Sequence, residues 1–171
     1  DPTPVVALPD VEYVELKNNS ALDLMLENWK LVNDGDTISL PPFSISAHGF
    51  ALLINAASSE YDSLNVAKIN AGTSWLKNDG EQLVLLDQFN DVIDAFSYNN
   101  GLFNGTAKAN GGWSLEQITT ELACSETSNW RASSSKIGGT PAKENQPEEK
   151  YQASNTYFKS AIWIDEFSLI V

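Results

Sequence analysis

The fold of this chain is decided by the stretch LKNDGEQLVLLDQFNDVIDAFSY, which runs from Leu76 to Tyr98. Apolar residues fill Leu83 to Leu86 and recur from Val92 onward, and Asn90 and Asp91 between them tolerate the left-handed backbone of a tight turn. This pattern predicts a β-hairpin. Because two strands bury too little apolar surface to offset the entropy of ordering them, we expect further strands on both sides of the hairpin.

Short strand patterns separated by turn residues recur along the rest of the chain. From Glu12 to Lys17, Val14 and Leu16 alternate with polar residues, which is the period of a half-buried strand. Other segments with strand character are residues 22–26, 29–32, 37–40, 43–45, 50–54, 113–118 and 129–132. No helix-length amphipathic pattern accompanies them, so the sequence predicts an all-β sandwich.

Two segments have no strand pattern. Asn55 to Asn70 contains Ala, Ser and Glu, a composition that permits one helical turn near Ser58 to Tyr61. Asn99 to Gly112 carries four glycines and four asparagines, which predicts a long loop. Because binding residues are concentrated on loops, this second segment is a place where function is expected.

The composition limits the number of domains and the kinds of partner. A chain of 171 residues suits one domain with a short appendage. With 10 Lys and Arg against 23 Asp and Glu, the formal charge is −13, so we expect no nucleic-acid partner. No apolar run is long enough to cross a bilayer, so membrane insertion is not expected. Cys124 is the only cysteine, which excludes an internal disulfide and predicts a buried free thiol.

The domain organisation follows from changes in composition. We expect a β-sandwich domain over residues 1–146, ending after the tight turn Gly138 to Pro141. Residues 147–159 are polar and read as a linker. Residues 160–171 return to an apolar strand pattern, which either completes the sheet or begins a following domain, because a free apolar edge would aggregate.

Several short segments resemble, in their order and spacing, the lamin tail domain. They are DPTP (1–4), EYVELKN (12–18), WKL (29–31), LKNDGE (76–81), VID (92–94) with Tyr98, WSLE (113–116) and GGTP (138–141) with Asn145. The resemblance implies an immunoglobulin-like β-sandwich of about 7–9 short antiparallel strands. Domains of this family occur in nuclear lamins and in exported bacterial proteins, so it also implies attachment or recognition rather than catalysis.

The chain departs from the bacterial members of that family at the first strand. Those members usually begin with an apolar strand before the Asp-Pro segment, whereas this sequence begins at Asp1. The segment Ile162 to Phe167 resembles the missing strand, and residues 143–159 can span a small sandwich at ~3.3 Å per residue. Ile162 to Leu169 is therefore expected either to occupy the first-strand position, within the chain or by exchange in a dimer, or to begin a following domain. Ala142 and Gln117 replace a glycine and a basic residue that members often carry.

No catalytic arrangement is predicted. His48, the sole histidine, follows Ser46 in a Ser-Ala-His-Gly turn with no orienting acid nearby in sequence. Glu12 and Glu15 face opposite sides of a strand, so they cannot form the carboxylate pair of a glycosidase. Glu15 is instead expected to accept bonds from backbone donors or from a basic side chain. We therefore expect that the chain is not an enzyme.

Acidic turns provide candidate metal ligands, although no cofactor is required by the sequence. Asp34 and Asp36 lie in one turn, and Asp87 and Asp91 lie in another. Carboxylates in loops are the ligands that calcium prefers, but neither turn reproduces the twelve-residue loop with its terminal glutamate. Acidic turns also arise for backbone reasons, because Asp bonds to nearby backbone N–H groups.

The tryptophans provide candidate contacts for a carbohydrate. Trp75 and Trp113 flank polar or glycine-rich loops and are the candidate ligand-contact aromatics, whereas Trp29 and Trp130 are expected in the core. We expect a non-catalytic interaction or spacer module of an exported bacterial protein that is periplasmic, on the cell surface or secreted. Its partner is expected to be a protein or a cell-surface polymer. The alternative is a carbohydrate-binding or calcium-dependent adhesion module.

Overall fold

The computed structural model describes residues 1–119 and 127–148, which form eleven β-strands and three short 3₁₀ helices. The strands are β1 (Tyr13–Lys17), β2 (Leu24–Met25), β3 (Lys30–Asn33), β4 (Asp36–Ser39), β5 (Ser44–Ile45), β6 (Phe50–Asn55), β7 (Val66–Ile69), β8 (Gly80–Leu86), β9 (Val92–Asn99), β10 (Leu115–Gln117) and β11 (Trp130–Ala132). The 3₁₀ helices are Asn100–Phe103, Ala107–Asn110 and Thr127–Asn129. The all-β prediction is confirmed. Within the two described ranges, no helix has the length and apolar character needed to span a membrane.

The predicted hairpin is formed by β8 and β9, with Leu83 opposite Phe96 in an antiparallel register. The turn between them is closed by Asp87, whose Oδ1 accepts from the N–H groups of Phe89 (2.8 Å) and Asp91 (2.9 Å). The sheet order is β4-β3-β8-β9, so further strands lie on the β8 side only among the described residues. Within the described part of the chain, the expectation of strands on both sides is therefore not met. Phe96 of β9 is instead covered by the ring of Trp130, which stacks on it at 3.6 Å between centroids.

A second sheet has the order β1-β6-β7. β1 pairs with β6 antiparallel, as its alternating pattern suggested, but β7 pairs with β6 in parallel. The prediction of antiparallel strands alone was therefore wrong, and β7 itself was missed. Because every residue from Ala51 to Asn55 is buried, β6 requires a strand on each side. Residues 60–63 form a turn rather than a helical turn at Ser58 to Tyr61.

Side chains of both sheets share one core. It combines residues of the four-stranded sheet (Leu31, Ile38), of the second sheet (Ala51, Leu53, Ala67, Ile69) and of the short β2–β5 pair and its flanks (Leu26, Leu40, Ile45), together with Trp75. Val14 and Leu16 pack against this core from the inner face of β1. Trp29 also packs against it. Each fully buried leucine or isoleucine in it contributes roughly 2 kcal/mol.

The last described residues pair with β11, which itself pairs with β10. Ser133 forms a β-bridge with Pro147, and the N–H of Glu148 donates to the carbonyl of Ala132 at 2.8 Å. The first two residues of the predicted linker, Pro147 and Glu148, are thus paired with the end of β11. Cys124, the remainder of that linker and the segment Ile162 to Leu169 lie outside the described residues.

The outer edge of β1 has no strand beside it in residues 1–119 and 127–148. The N–H of Asn18 donates to the carbonyl of Gly49 at 2.9 Å. In an antiparallel pair, backbone bonds to the partner strand recur at every second residue, so Leu16 and Val14 also bond toward β6. The backbone N–H and C=O groups of Tyr13, Glu15 and Lys17 therefore point away from β6. Three donors and three acceptors line this edge.

Candidate functional site

The outer face of β1 is polar and is covered by residues 138–146, which we call the strap. Tyr13, Glu15 and Lys17 alternate with the core-facing residues of β1, and each of them meets the strap. The strap passes so close to Tyr13 that a Cβ on Gly139 would lie 2.8 Å from the tyrosine oxygen. Glu15 accepts a hydrogen bond from the N–H of Ala142, and Lys17 pairs with Glu144 at 2.8 Å.

A buried glutamate of β10 fastens the same strap. Glu116 is only 5% exposed. Its Oε1 accepts from the hydroxyls of Thr140 (2.7 Å) and Ser114 (3.1 Å), and its Oε2 accepts from the N–H of Gln146 (2.7 Å). Because an ionised carboxylate without partners is costly to bury, these three donors explain why a glutamate is stable at this position.

The surroundings of Glu15 shift its titration toward neutral pH. The pKa of Glu15 is raised to about 7, mainly by burial and also by the nearby carboxylates of Glu116 and Glu144, while the N–H of Ala142 and the charge of Lys17 act in the opposite direction. Burial also raises the pKa of Tyr13. The carboxyl group of Glu15 therefore changes its charge within the physiological pH range.

Two other glutamates hold the segment that leads into β8. Glu12 Oε2 accepts from the N–H groups of Trp75 (2.7 Å) and Leu76 (3.0 Å). Glu81, which is 8% exposed, accepts through Oε1 from the N–H of Lys77 (3.1 Å) and the hydroxyl of Tyr98 (2.8 Å). The predicted role of Glu15 as an acceptor of backbone bonds is confirmed, and Glu12 has the same role at a different place in the fold.

Sequence reasoning missed Glu81 and Glu116 as anchoring residues. A local signal was present in each case, because one donor lies close by in the sequence, the N–H of Lys77 four residues before Glu81 and the hydroxyl of Ser114 two residues before Glu116. The Gln146 and Thr140 donors, however, are 30 and 24 residues from Glu116 in the chain. Which glutamate meets which loop is a tertiary property that no local pattern contains.

Trp75, a predicted ligand-contact aromatic, is buried, so the expectation that it is exposed was wrong. It is 7% exposed and packs in the core. Its backbone is fixed from both directions, because its N–H donates to Glu12 and its carbonyl accepts from the side chain of Asn33 at 2.7 Å. An open cleft of about 170 Å³ lies beside it, between Asp10, Glu12 and Asn55.

Trp113 is half-buried, and one face of its ring is occupied. The ammonium group of Lys108 lies 4.1 Å from the ring centroid. The same ammonium group donates to the carbonyl of Ser133 at 2.6 Å and pairs with Glu148 at 2.5 Å. Since a sugar platform requires a free aromatic face, Lys108 leaves at most one face of Trp113 for such a contact.

The candidate metal ligands are not gathered into a site. Asp34 pairs with the ammonium group of Lys77, and Asp87 uses its Oδ1 to close its own turn, with Asp91 as one of the donors. Asp36 lies in the turn after Asp34 at the start of β4. Within residues 1–119 and 127–148, no group of three or more acidic, His or Cys side chains is placed to hold a metal ion.

We expect millimolar calcium to leave the thermal unfolding midpoint unchanged. The carboxylates of Asp34 and Asp87 are already engaged with Lys77 and with backbone N–H groups, and no group of three possible ligands is placed to hold a metal ion in the described residues. Only a ligand that binds the folded state raises its stability. Thermal unfolding in calcium and in chelator measures this directly. A rise in midpoint that Asp34→Asn or Asp87→Asn removes would contradict the expectation.

His48 lies in an exposed turn, as its sequence predicted. Its φ is 55°, and the turn is closed by a bond from the N–H of Gly49 to the carbonyl of Ser46 at 2.8 Å.

No protein-family model matches this chain, and a search of curated proteins gives no match either.

Proposed function

We propose that this chain is a non-catalytic interaction module of an exported bacterial surface or secreted protein, with an immunoglobulin-like sandwich that resembles the lamin tail domain. The observation that carries the proposal is that its half-buried and buried glutamates bind the chain's own backbone. Glu12, Glu15, Glu81 and Glu116 each accept hydrogen bonds from the chain's own backbone. Carboxylates engaged in this way fasten loops to strands, which is a structural use of the acid group.

The packing supports the sandwich part of the proposal. Two sheets, β4-β3-β8-β9 and β1-β6-β7, contribute side chains to one core. The strap, which is fastened to β10 by Glu116, covers the outer face of β1. This layering is the arrangement expected of a sandwich whose loops and edges are available to partners.

The partner that we propose is a protein or a polymer of the cell surface. A strongly acidic surface, with a formal charge of −13, favours partners that are basic or uncharged. Exposed apolar side chains at the end of the β8–β9 hairpin, Phe89 (73%) and Val92 (57%), provide contact area of the kind that interaction surfaces use.

The test of the proposed function has two parts. Labelled full-length chain is added to intact cells of the organism that encodes it, and saturable binding is expected that unlabelled chain competes away. The same preparation is assayed against ester, glycoside and phosphate substrates, and no turnover is expected. Turnover that is lost in Glu12→Gln, Glu15→Gln or His48→Gln would overturn the proposal, and so would the absence of saturable binding.

We also propose that Ile162 to Leu169 of the same chain pairs with the outer edge of β1. The edge offers the backbone groups of Tyr13, Glu15 and Lys17, which have no strand beside them in residues 1–119 and 127–148, and the segment has an apolar strand pattern that needs a partner. Residues 149–161 connect Glu148, the last described residue, to this segment. At ~3.3 Å per residue they reach up to roughly 40 Å, which is enough to cross a small sandwich.

Amide hydrogen exchange tests this pairing. We expect the amides of Tyr13, Glu15 and Lys17 to be protected in the full chain, and to exchange about tenfold faster or more in Ile164→Pro, because proline removes a ladder donor. Ser154→Pro, within residues 149–161, is the matched control and should change nothing. Unprotected amides in the unaltered monomer would contradict the pairing, as would protection found only in a dimer.

A further inference from the structure

All three Asn-Gly pairs of this chain lie in the loop Asn99 to Gly112. They are Asn100-Gly101, Asn104-Gly105 and Asn110-Gly111. An asparagine before glycine can deamidate, because the unhindered glycine nitrogen attacks the side-chain carbonyl carbon of the asparagine. The attack requires the glycine N–H to be free of other bonds and the local backbone to have room to rotate.

Two of the three glycine nitrogens are held by hydrogen bonds. The N–H of Gly101 donates to the side-chain oxygen of Asn99 at 2.8 Å. The N–H of Gly111 donates to the carbonyl of Lys108 at 3.1 Å. Gly111 is also buried against the N-terminal segment, since a Cβ placed on it would lie 1.8 Å from the carbonyl oxygen of Thr3.

Gly105, the third glycine, meets both requirements for the attack. The N–H of Gly105 has no hydrogen-bond acceptor among residues 1–119 and 127–148, and nothing lies within 4 Å of the position a Cβ would take. Asn104 is exposed and has the left-handed conformation, with φ 52°. The neighbouring backbone bonds, from Asn104 N–H to the carbonyl of Gly101 (3.1 Å) and from Thr106 N–H to the carbonyl of Phe103 (3.1 Å), do not involve the N–H of Gly105.

We propose that Asn104 is a site of spontaneous deamidation, and that the fold protects Asn100 and Asn110 from the same reaction. The nitrogen of Gly105 forms a bond to Cγ of Asn104, the bond from Cγ to the side-chain nitrogen breaks, and ammonia leaves with the proton that Gly105 gives up. Water then opens the resulting five-membered imide to aspartate or isoaspartate. The product adds one negative charge to a loop of an already acidic protein.

The ratio of rates in folded protein follows from the bonds that must first break. A hydrogen bond of about 1 kcal/mol lowers the fraction of free glycine N–H about fivefold, so Asn104 should react at least about fivefold faster than Asn100. Asn110 should be slower still, because Gly111 must also leave its packing against Thr3. In the unfolded chain these differences vanish, since all three pairs have the same chemistry.

The experiment incubates the full chain at mildly alkaline pH, folded and in concentrated urea, and follows each asparagine by tandem mass spectrometry of its peptides. Folded protein should accumulate the modification at Asn104 first, and unfolded protein at all three sites at similar rates. Asn104→Gln should remove the early acidic species seen on ion exchange, whereas Asn110→Gln should leave it. Equal rates at the three sites in folded protein would overturn the proposal, and so would a faster rate at Asn100 or Asn110.

Discussion

Replacing Glu116 by alanine is expected to destabilise the protein by about 3 to 4 kcal/mol, because it removes one acceptor group that serves three donors. The donors are the hydroxyls of Ser114 and Thr140 and the N–H of Gln146. A buried donor that loses its acceptor keeps the full cost of its desolvation. We therefore expect the strap to detach from β10 and the whole protein to be less stable.

Urea unfolding at neutral pH measures this effect. The matched control is Glu144→Ala in the same strap, which removes an ion pair with Lys17 in which the glutamate is 74% exposed. Exposed ion pairs contribute at most about 1 kcal/mol, so the control should cost little. If the two variants were equally stable, Glu116 would not be the anchor of the strap.

The second large effect concerns the pH dependence of stability through Glu15. Its pKa is raised from 4.5 to about 7 in the folded protein, so the folded state binds a proton more tightly than the unfolded state does. The stabilisation is fully present below pH 4.5 and is lost as the pH rises through 7. At 1.36 kcal/mol per pKa unit, the difference between these limits is about 3 kcal/mol.

Glu15→Gln isolates this contribution, because glutamine can accept the bond from Ala142 but does not titrate. The free energy of unfolding of the unaltered protein, minus that of the variant, should fall by about 3 kcal/mol between pH 4 and pH 8. Glu27→Gln, at an exposed position, is the control and should give a flat difference. A flat difference for Glu15→Gln itself would show that its carboxylate is as well stabilised in the folded state as in water.

Local patterns in the chain were enough to predict most strands. Alternation of apolar and polar residues located β1, β3, β4, β6 and the β8–β9 hairpin, and turn residues located the connections. β7 was missed even though Ala67 and Ile69 are buried at alternate positions. Four residues between polar turns are too few to distinguish a strand from a loop. The parallel pairing of β7 depends on its contact with β6, and no local sequence pattern indicates that contact.

The candidate site was less predictable than the fold. The sequence correctly assigned Glu15 as an acceptor and correctly placed His48 in a turn, since both follow from neighbours in the chain. It misjudged Trp75, because exposure depends on which distant groups cover a side chain. Here Glu12 and Asn33 fix the backbone of Trp75 and turn its indole ring into the core.

Period-two alternation and turn chemistry specified an all-β protein, because each depends on neighbours a few residues apart. Composition alone also sets the formal charge of −13, from which we expect no nucleic-acid partner. The strap over β1, the burial of Glu116, the neutral titration of Glu15 and the protection of two of three Asn-Gly pairs came from the folded chain only. Each depends on contacts between residues far apart in sequence, and such contacts exist only after the sheets have packed.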